Sequence, residues 1–218
     1  MYKLFVSVVL FASIIFSGVI QAQESNSIQI NGGVIFHKSS STGMNGTIQF
    51  NHPINNNINL YIYSGYSSWG KYNVTFTEDW SEIQRKTLFK TYNADGHIMI
   101  PLYLGTQLNL HTNKLFTAYI NFEIGYSYLQ YNYYKNKKVI APETGIVLSY
   151  YADESTKSTI HENLFGVGIG IGIFRPITNN INIILSYKIN SHTNSKYNGL
   201  FSYTGTYSTL LAGLSFGM

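Results

Sequence analysis

Cysteine is absent from all 218 residues, which removes disulfides, thiolate metal centres and cysteine nucleophiles together. Charge is scarce as well. Lys, Arg, Asp and Glu make up 11% of the chain, against about a quarter in an ordinary soluble domain, so little surface can be built for water. Long apolar runs are missing beyond the first twenty residues, and mean hydropathy is −0.03, which together exclude a polytopic helical membrane protein. Nor is there an excess of one sign. The net charge is +4, or +3 with Lys3 set aside, too small to call for nucleic acid as a partner. No cofactor motif occurs, and none is expected to be bound.

What is present is aromatic and alternating. Tyr alone occurs nineteen times and aromatics reach 16%. From residue 27 onward apolar and polar residues repeat with a period of two, the signature of strands with two unlike faces. Eight such segments fall at 27–37, 43–52, 57–69, 97–108, 116–128, 160–175, 181–190 and 203–216. The fifth shows it best: Phe116, Ala118, Ile120, Phe122, Ile124, Tyr126 and Tyr128 alternate with Tyr119, Asn121, Glu123, Gly125 and Ser127. Opposite the apolar face stand Asn, Gln, Ser, Thr, Gly and Tyr rather than the Lys and Glu of a water-facing strand. Charges collect between segments instead, as with Lys71, Glu78, Glu82, Lys86 and Lys90, and again Lys135, Lys137, Lys138, Asp153, Glu154 and Lys157.

Residues 1–22 read as a signal peptide: Lys3 is the positive start, residues 4–16 are apolar, and Ala22 offers the cleavage position. Ser7, Ser13, Ser17 and Gly18 leave too little apolar length for a spanning helix. Residues 23–218 then form one domain. Connections alternate between short, at 53–56, 109–114 and 176–179, and longer, at 38–42, 70–96, 130–159 and 191–202. Such alternation predicts an all-β fold, an eight-stranded antiparallel up-and-down transmembrane β-barrel with its short turns at one end. Two short turns are near copies, His52-Pro53-Ile54-Asn55-Asn56-Asn57-Ile58-Asn59-Leu60 and Arg175-Pro176-Ile177-Thr178-Asn179-Asn180-Ile181-Asn182-Ile183, and read as a repeated hairpin. Tyr66, Trp69, Tyr128 and Tyr203 are expected in an outer aromatic girdle, and Phe50, Phe116 and Phe216 in an inner one. Pro101 lies inside a strand, lacks a ladder donor, and predicts a local irregularity.

With this pattern and its ending, Leu210-Leu211-Ala212-Gly213-Leu214-Ser215-Phe216-Gly217-Met218, the chain resembles the small outer-membrane barrels of the OmpA and OmpX group. The resemblance implies a bacterial outer membrane, contact with its lipids, and Phe216 as a terminal signal for the barrel-assembly machinery. It also implies a non-enzymatic structural or surface-interaction role, with any ligand met by aromatic and Lys-bearing outer loops.

Inside such a barrel, Gly166, Gly168, Gly170 and Gly172 share one face and leave room for larger neighbours. Glu123 and Lys188, on the flanking strands, are nearly the only strand charges, and are expected to form an interior ion pair or else to meet lumen water and Tyr hydroxyls. A filled interior argues against a wide channel, leaving a narrow pore as an alternative. The segment from Tyr187 through His192 to Ser195 resembles outer-membrane lipid A deacylases of the PagL kind, but Asn194 stands at the position of their Ser and no acidic residue follows Glu162. His192 is therefore expected to be a loop residue. His37, His97, His161 and His192, with Glu162, are expected to scatter around the outer rim without binding metal.

Overall fold

The computed structural model describes residues 26–37, 39–80, 85–112, 116–192 and 205–218. Residues 1–22, read from the sequence as a signal peptide, Glu82, residues 193–202 and Tyr203 lie outside the described residues. Nine strands follow one another: β1 (Ser27–His37), β2 (Gly43–Asn55), β3 (Ile58–Trp69), β4 (Tyr72–Trp80), β5 (Arg85–Thr112), β6 (Thr117–Ile140), β7 (Val147–Pro176), β8 (Ile181–His192) and β9 (Thr206–Gly217). All ladders are antiparallel. β1 pairs with β2, β2 with β3, β3 with β5, and β5 through β9 pair in sequence. Pairing of β9 with β1 closes the ring at eight strands, while β4 is hydrogen-bonded to β5 outside it.

Closure follows from the two faces. Gln29, Asn31, Gln49, Asn121, Ser127 and Asn190 are buried, whereas Ile30, Ile48, Phe122, Ile124, Ile171 and Leu185 are exposed. That is the reverse of a soluble barrel, which places its apolar face inward. Magnitudes decide the matter. Burying a large apolar side chain is worth about 1.5–3 kcal/mol, so leaving half of each of Phe122, Ile124, Ile169, Ile171, Ile173, Ile183, Leu185 and Ile189 in water forgoes roughly 6–12 kcal/mol. That is as much as the entire stability of many domains, roughly 5–15 kcal/mol. Hydrocarbon supplies the missing partner, and in hydrocarbon only a closed ring leaves no strand edge unpaired.

The ends of the barrel differ. The turns between β2 and β3 and between β7 and β8 are tight and lie at the same end as Ser27 and Gly217. At the other end β5, β6 and β7 run on as strand. Within 70–96 and 130–159, read from the sequence as long loops, the described residues instead form paired strands, β4 with the start of β5, and the end of β6 with the start of β7. A tilted strand needs only about 9–11 residues to cross the hydrocarbon. β6 has 24 and β7 has 30, so more than half of each stands outside the membrane. The sequence hid this because a strand that leaves lipid no longer has to alternate apolar with polar residues.

Pro101 produces the expected irregularity. The β3–β5 ladder skips from Ser64–Leu102 to Ser67–Met99, while Pro101 stays paired with Ser127 on the β6 side. Ser64 Oγ donates to Pro101 O at 2.8 Å and closes part of the gap. Trp69 corrects the girdle expectation. Tyr66, Tyr128, Phe116 and Phe216 face outward and are exposed, but Trp69 is buried inside the barrel.

Candidate functional site

Midway along the bore four donors converge on one carboxylate. Lys188 Nζ and Tyr61 OH each donate to Glu123 Oε2 at 2.8 Å, and Tyr63 OH and Asn190 Nδ2 donate to Oε1 at 2.7 and 2.5 Å. The Glu123 side chain is fully enclosed and that of Lys188 nearly so, at 0% and 7% exposure. The ammonium also lies 4.2 Å from the centroid of the Tyr63 ring, a favourable place for a cation on a π face. A charge buried alone costs several kcal/mol; a pair with every lone pair engaged can be sustained.

The glycine row explains how residues on β6 and β8 meet across β7. Gly168 pairs with Glu123 on one side and Asn190 on the other, and Gly170 pairs with Asn121 and Lys188. A Cβ on Gly168 would lie 2.7 Å from Glu123 Cγ and would strike the Asn190 amide; on Gly170 it would lie 2.8 Å from Lys188 Cγ. Gly166 and Gly172 make the same room for Tyr103 with His192, and for the Tyr119 ring. The plug is therefore built from side chains leaning over a strand that carries none at these positions.

Toward the hairpin end lies a cavity of about 80 Å³ bordered by His37, Trp69, His97, Glu162 and His192. His37 lies tilted against Trp69 with ring centroids 4.3 Å apart, and Trp69, His97 and Tyr131 stack successively at 5.0 and 5.2 Å. Three of the four histidines are thus gathered inside rather than scattered over the rim. Only His161 faces out, where it contacts Tyr128. Their rings lie against Trp69, Tyr131 and Tyr207, and no group of His, Asp and Glu among the described residues could hold a metal ion.

His192 also corrects the loop expectation, since it ends β8 and is buried. Its Nε2 is 3.3 Å from both Ser127 Oγ and Tyr103 OH. Ser127 is 1% exposed and faces the bore, so an acyl chain in the surrounding lipid has no access to this Ser–His contact. Glu162 is engaged by Tyr131 OH at 3.0 Å rather than by His192. Asn194 and Ser195 lie outside the described residues.

At the turn end the bore opens into a larger cavity of about 480 Å³, lined by amides and hydroxyls. Phe216 stands on the outside of this end, paired in register with Ile28 and Ile181.

No protein-family model matches the sequence, and no curated protein matches it. Solved structures do. The chain is similar to Neisserial surface protein A, with a TM-score of 0.54 at 13% identity over 88% of this chain and 97% of that one. It is also similar to a major outer membrane protein from Thermus thermophilus, with a TM-score of 0.52 at 10% identity over 89% of this chain and all of the other. The fold is that of the small outer-membrane barrels. At these identities the likeness concerns the fold.

Two parts of this small outer-membrane barrel escaped the sequence. Tyr61 and Tyr63 were visible as inward residues of an alternating strand, but nothing local tied them to Glu123, which lies sixty residues away. The histidine cluster likewise joins β1, β5 and β8, and only ring closure brings those strands to one bore.

Proposed function

We propose that this chain is an exported bacterial outer-membrane barrel with a closed bore, whose role is non-enzymatic and directed at the cell surface, as an adhesive or ligand-contacting structure. The observation that carries this reading is the four-stranded sheet of β4, β5, β6 and β7 that continues beyond the ring. Its two hairpins are tied together. The Phe76 ring stacks on Tyr150 at 4.2 Å, Tyr150 OH donates to Glu78, and Asn136 Nδ2 donates to Tyr92 O at 2.9 Å. Tyr134 OH donates to Asp95 at 3.1 Å. A sheet knitted this way is a stable platform rather than a pair of loose loops, and it leaves Leu88, Ile140, Leu148 and Tyr151 exposed, with Tyr151 opposite Lys137 in the β6–β7 ladder. Apolar and aromatic side chains ringed by charge are the composition of a contact surface.

Outer-membrane lipids cover the apolar belt in this reading, and the barrel-assembly machinery reads the strand that ends at Phe216. Residues 136–150 exchanged for a two-residue Asn-Gly turn should leave the heat-modifiable gel mobility of the barrel unchanged. The same exchange should abolish adherence of expressing cells to epithelial monolayers and to immobilised lipopolysaccharide. Undiminished adherence to both would refute the surface-directed role.

A further inference from the structure

The repeated turn does more than reverse the chain. We infer that its two copies form opposed amide jaws of a binding cup for a neutral, N-acetylated glycan at the turn end of the barrel. In the ring, the β2–β3 turn and the β7–β8 turn are separated by β3, β5, β6 and β7 one way and by β8, β9, β1 and β2 the other. Four strands on each side put the two copies on opposite sides of the mouth.

Their chemistry divides into what the turn uses and what it does not. Asn55 and Thr178 hold equivalent places, and each accepts the backbone N–H two residues on, Asn57 N to Asn55 Oδ1 at 2.9 Å and Asn180 N to Thr178 Oγ1 at 3.3 Å. Those bonds account for the reversal. Asn59 and Asn182 come after it, already in strand, and occupy matching register positions opposite Pro53 and Pro176. No turn geometry requires an amide there, yet both copies have one, and both line the cavity of about 480 Å³. Asn59 Oδ1 is buried and has no hydrogen-bond partner among the described residues. A buried acceptor left unsatisfied costs on the order of 1–3 kcal/mol, which favours a turn of the part-buried Asn59 side chain toward a donor that enters the cup.

The lining selects the visitor. The cavity is within the size of ordinary small-ligand sites, about 300–1,000 Å³. Gln29 and Gln107 add two more amides, while Tyr119 and Phe174 present rings whose centroids are 6.2 Å apart. None of the described lining residues is acidic or basic. Amides offer donor and acceptor together and match acetamido groups and sugar hydroxyls, and the rings suit the apolar face of a pyranose. A charged ligand would find no counter-ion among the described lining residues. The Glu123–Lys188 plug closes the bore further along, so the site is a cup and not a passage. On the outer-membrane reading this end faces the periplasm, but the chemistry of the cup does not depend on that reading.

The test uses the mature chain folded in detergent micelles, with ¹⁵N-labelled Asn and Gln amides and N,N′-diacetylchitobiose as probe; maltose and digalacturonic acid serve as controls. Saturable shifts confined to amides of the cup, including Asn59 and Asn182, are expected with chitobiose. Maltose should bind more weakly and digalacturonic acid not at all. Each lost hydrogen bond weakens binding several-fold, so N59A/N182A should reduce affinity by about tenfold or more with heat-modifiable mobility retained. If that variant fails to fold, the shift map of the unaltered chain decides. Absence of saturable shifts, shifts located away from the cup, affinity unchanged in a folded N59A/N182A, or equal binding of either control sugar would overturn the proposal.

Discussion

Removing both halves of the ion pair should cost much less than the two single removals added together. In K188M, Glu123 keeps its bonds from Tyr61, Tyr63 and Asn190 but loses the cation at 2.8 Å, leaving a fully enclosed carboxylate uncompensated. Breaking a buried pair in this way costs about 3–5 kcal/mol. In E123Q the ammonium is stranded instead, although the Tyr63 ring at 4.2 Å retains part of its stabilisation. E123Q/K188M carries no charge at all, and its Gln still offers a carbonyl to the tyrosine hydroxyls. The double variant should therefore lose less than the sum of the single losses by about 2–3 kcal/mol, within the range for residues in direct contact. Urea titrations of barrels folded in lipid vesicles, scored by gel mobility without boiling, give the four stabilities of the cycle. Single losses that simply add in the double variant would refute the reasoning, because they would mean that neither charge senses the other.

Gly168→Ala should destabilise by about 1–3 kcal/mol in the same titration, since its methyl would press on Glu123 and Asn190, whereas Gly145→Ala in the outer turn, where φ is +68° and nothing lies near, should act only through local backbone strain and leave the barrel's transition unchanged. In the projecting hairpin, the hydrogen bond from Lys137 holds the Asp153 carboxyl below its ordinary range, with help from Ser155, and the same contact raises Lys137. A depressed acid stabilises above its unfolded pKa, about 4, and loses that contribution as pH falls through the lower folded value; a raised base loses its contribution only as pH climbs above about 10. Cross-strand amide protection near 135–153 should accordingly be flat from about pH 5 to 9 and fall in acid, and protection unchanged at pH 2 would count against the pairing. Planar-bilayer recordings of the unaltered chain should show no stable conductance, and steady ion-selective steps would contradict a sealed bore.

How much of this was legible depended on how far each signal had to travel along the chain. The alternation of Phe122 and Ile124 with Asn121 and Glu123 is local, and it specified both the strand and its inverted faces. The repeated Pro and Asn turns marked the tight end for the same reason. The outer hairpins carry no such local signal, because the pairing of Asn136 with Ala152, or of Phe76 with Phe89, leaves no two-residue hydrophobic period once lipid is left behind. The plug was half visible. Two charges on strands flanking a glycine row suggested a meeting, but the tyrosines that complete it come from β3, which reaches Glu123 only through the curvature of the closed ring. His192 looked like a loop residue because its neighbours Asn190 and Ser191 are turn formers; here they continue β8 to His192, which pairs with Gly166 and is buried.

The central claim is an inverted barrel, apolar outside and polar within, and the lack of cysteine makes it directly measurable. Single cysteines placed at Ile171, on the exposed belt, and at Ser149, in the projecting hairpin, can each carry a nitroxide in the vesicle-folded protein. The account predicts that the label at 171 is relaxed by oxygen dissolved in lipid and shielded from a water-soluble nickel complex, with the reverse at 149. Equal access of the nickel complex to both labels would contradict it and return the chain to water.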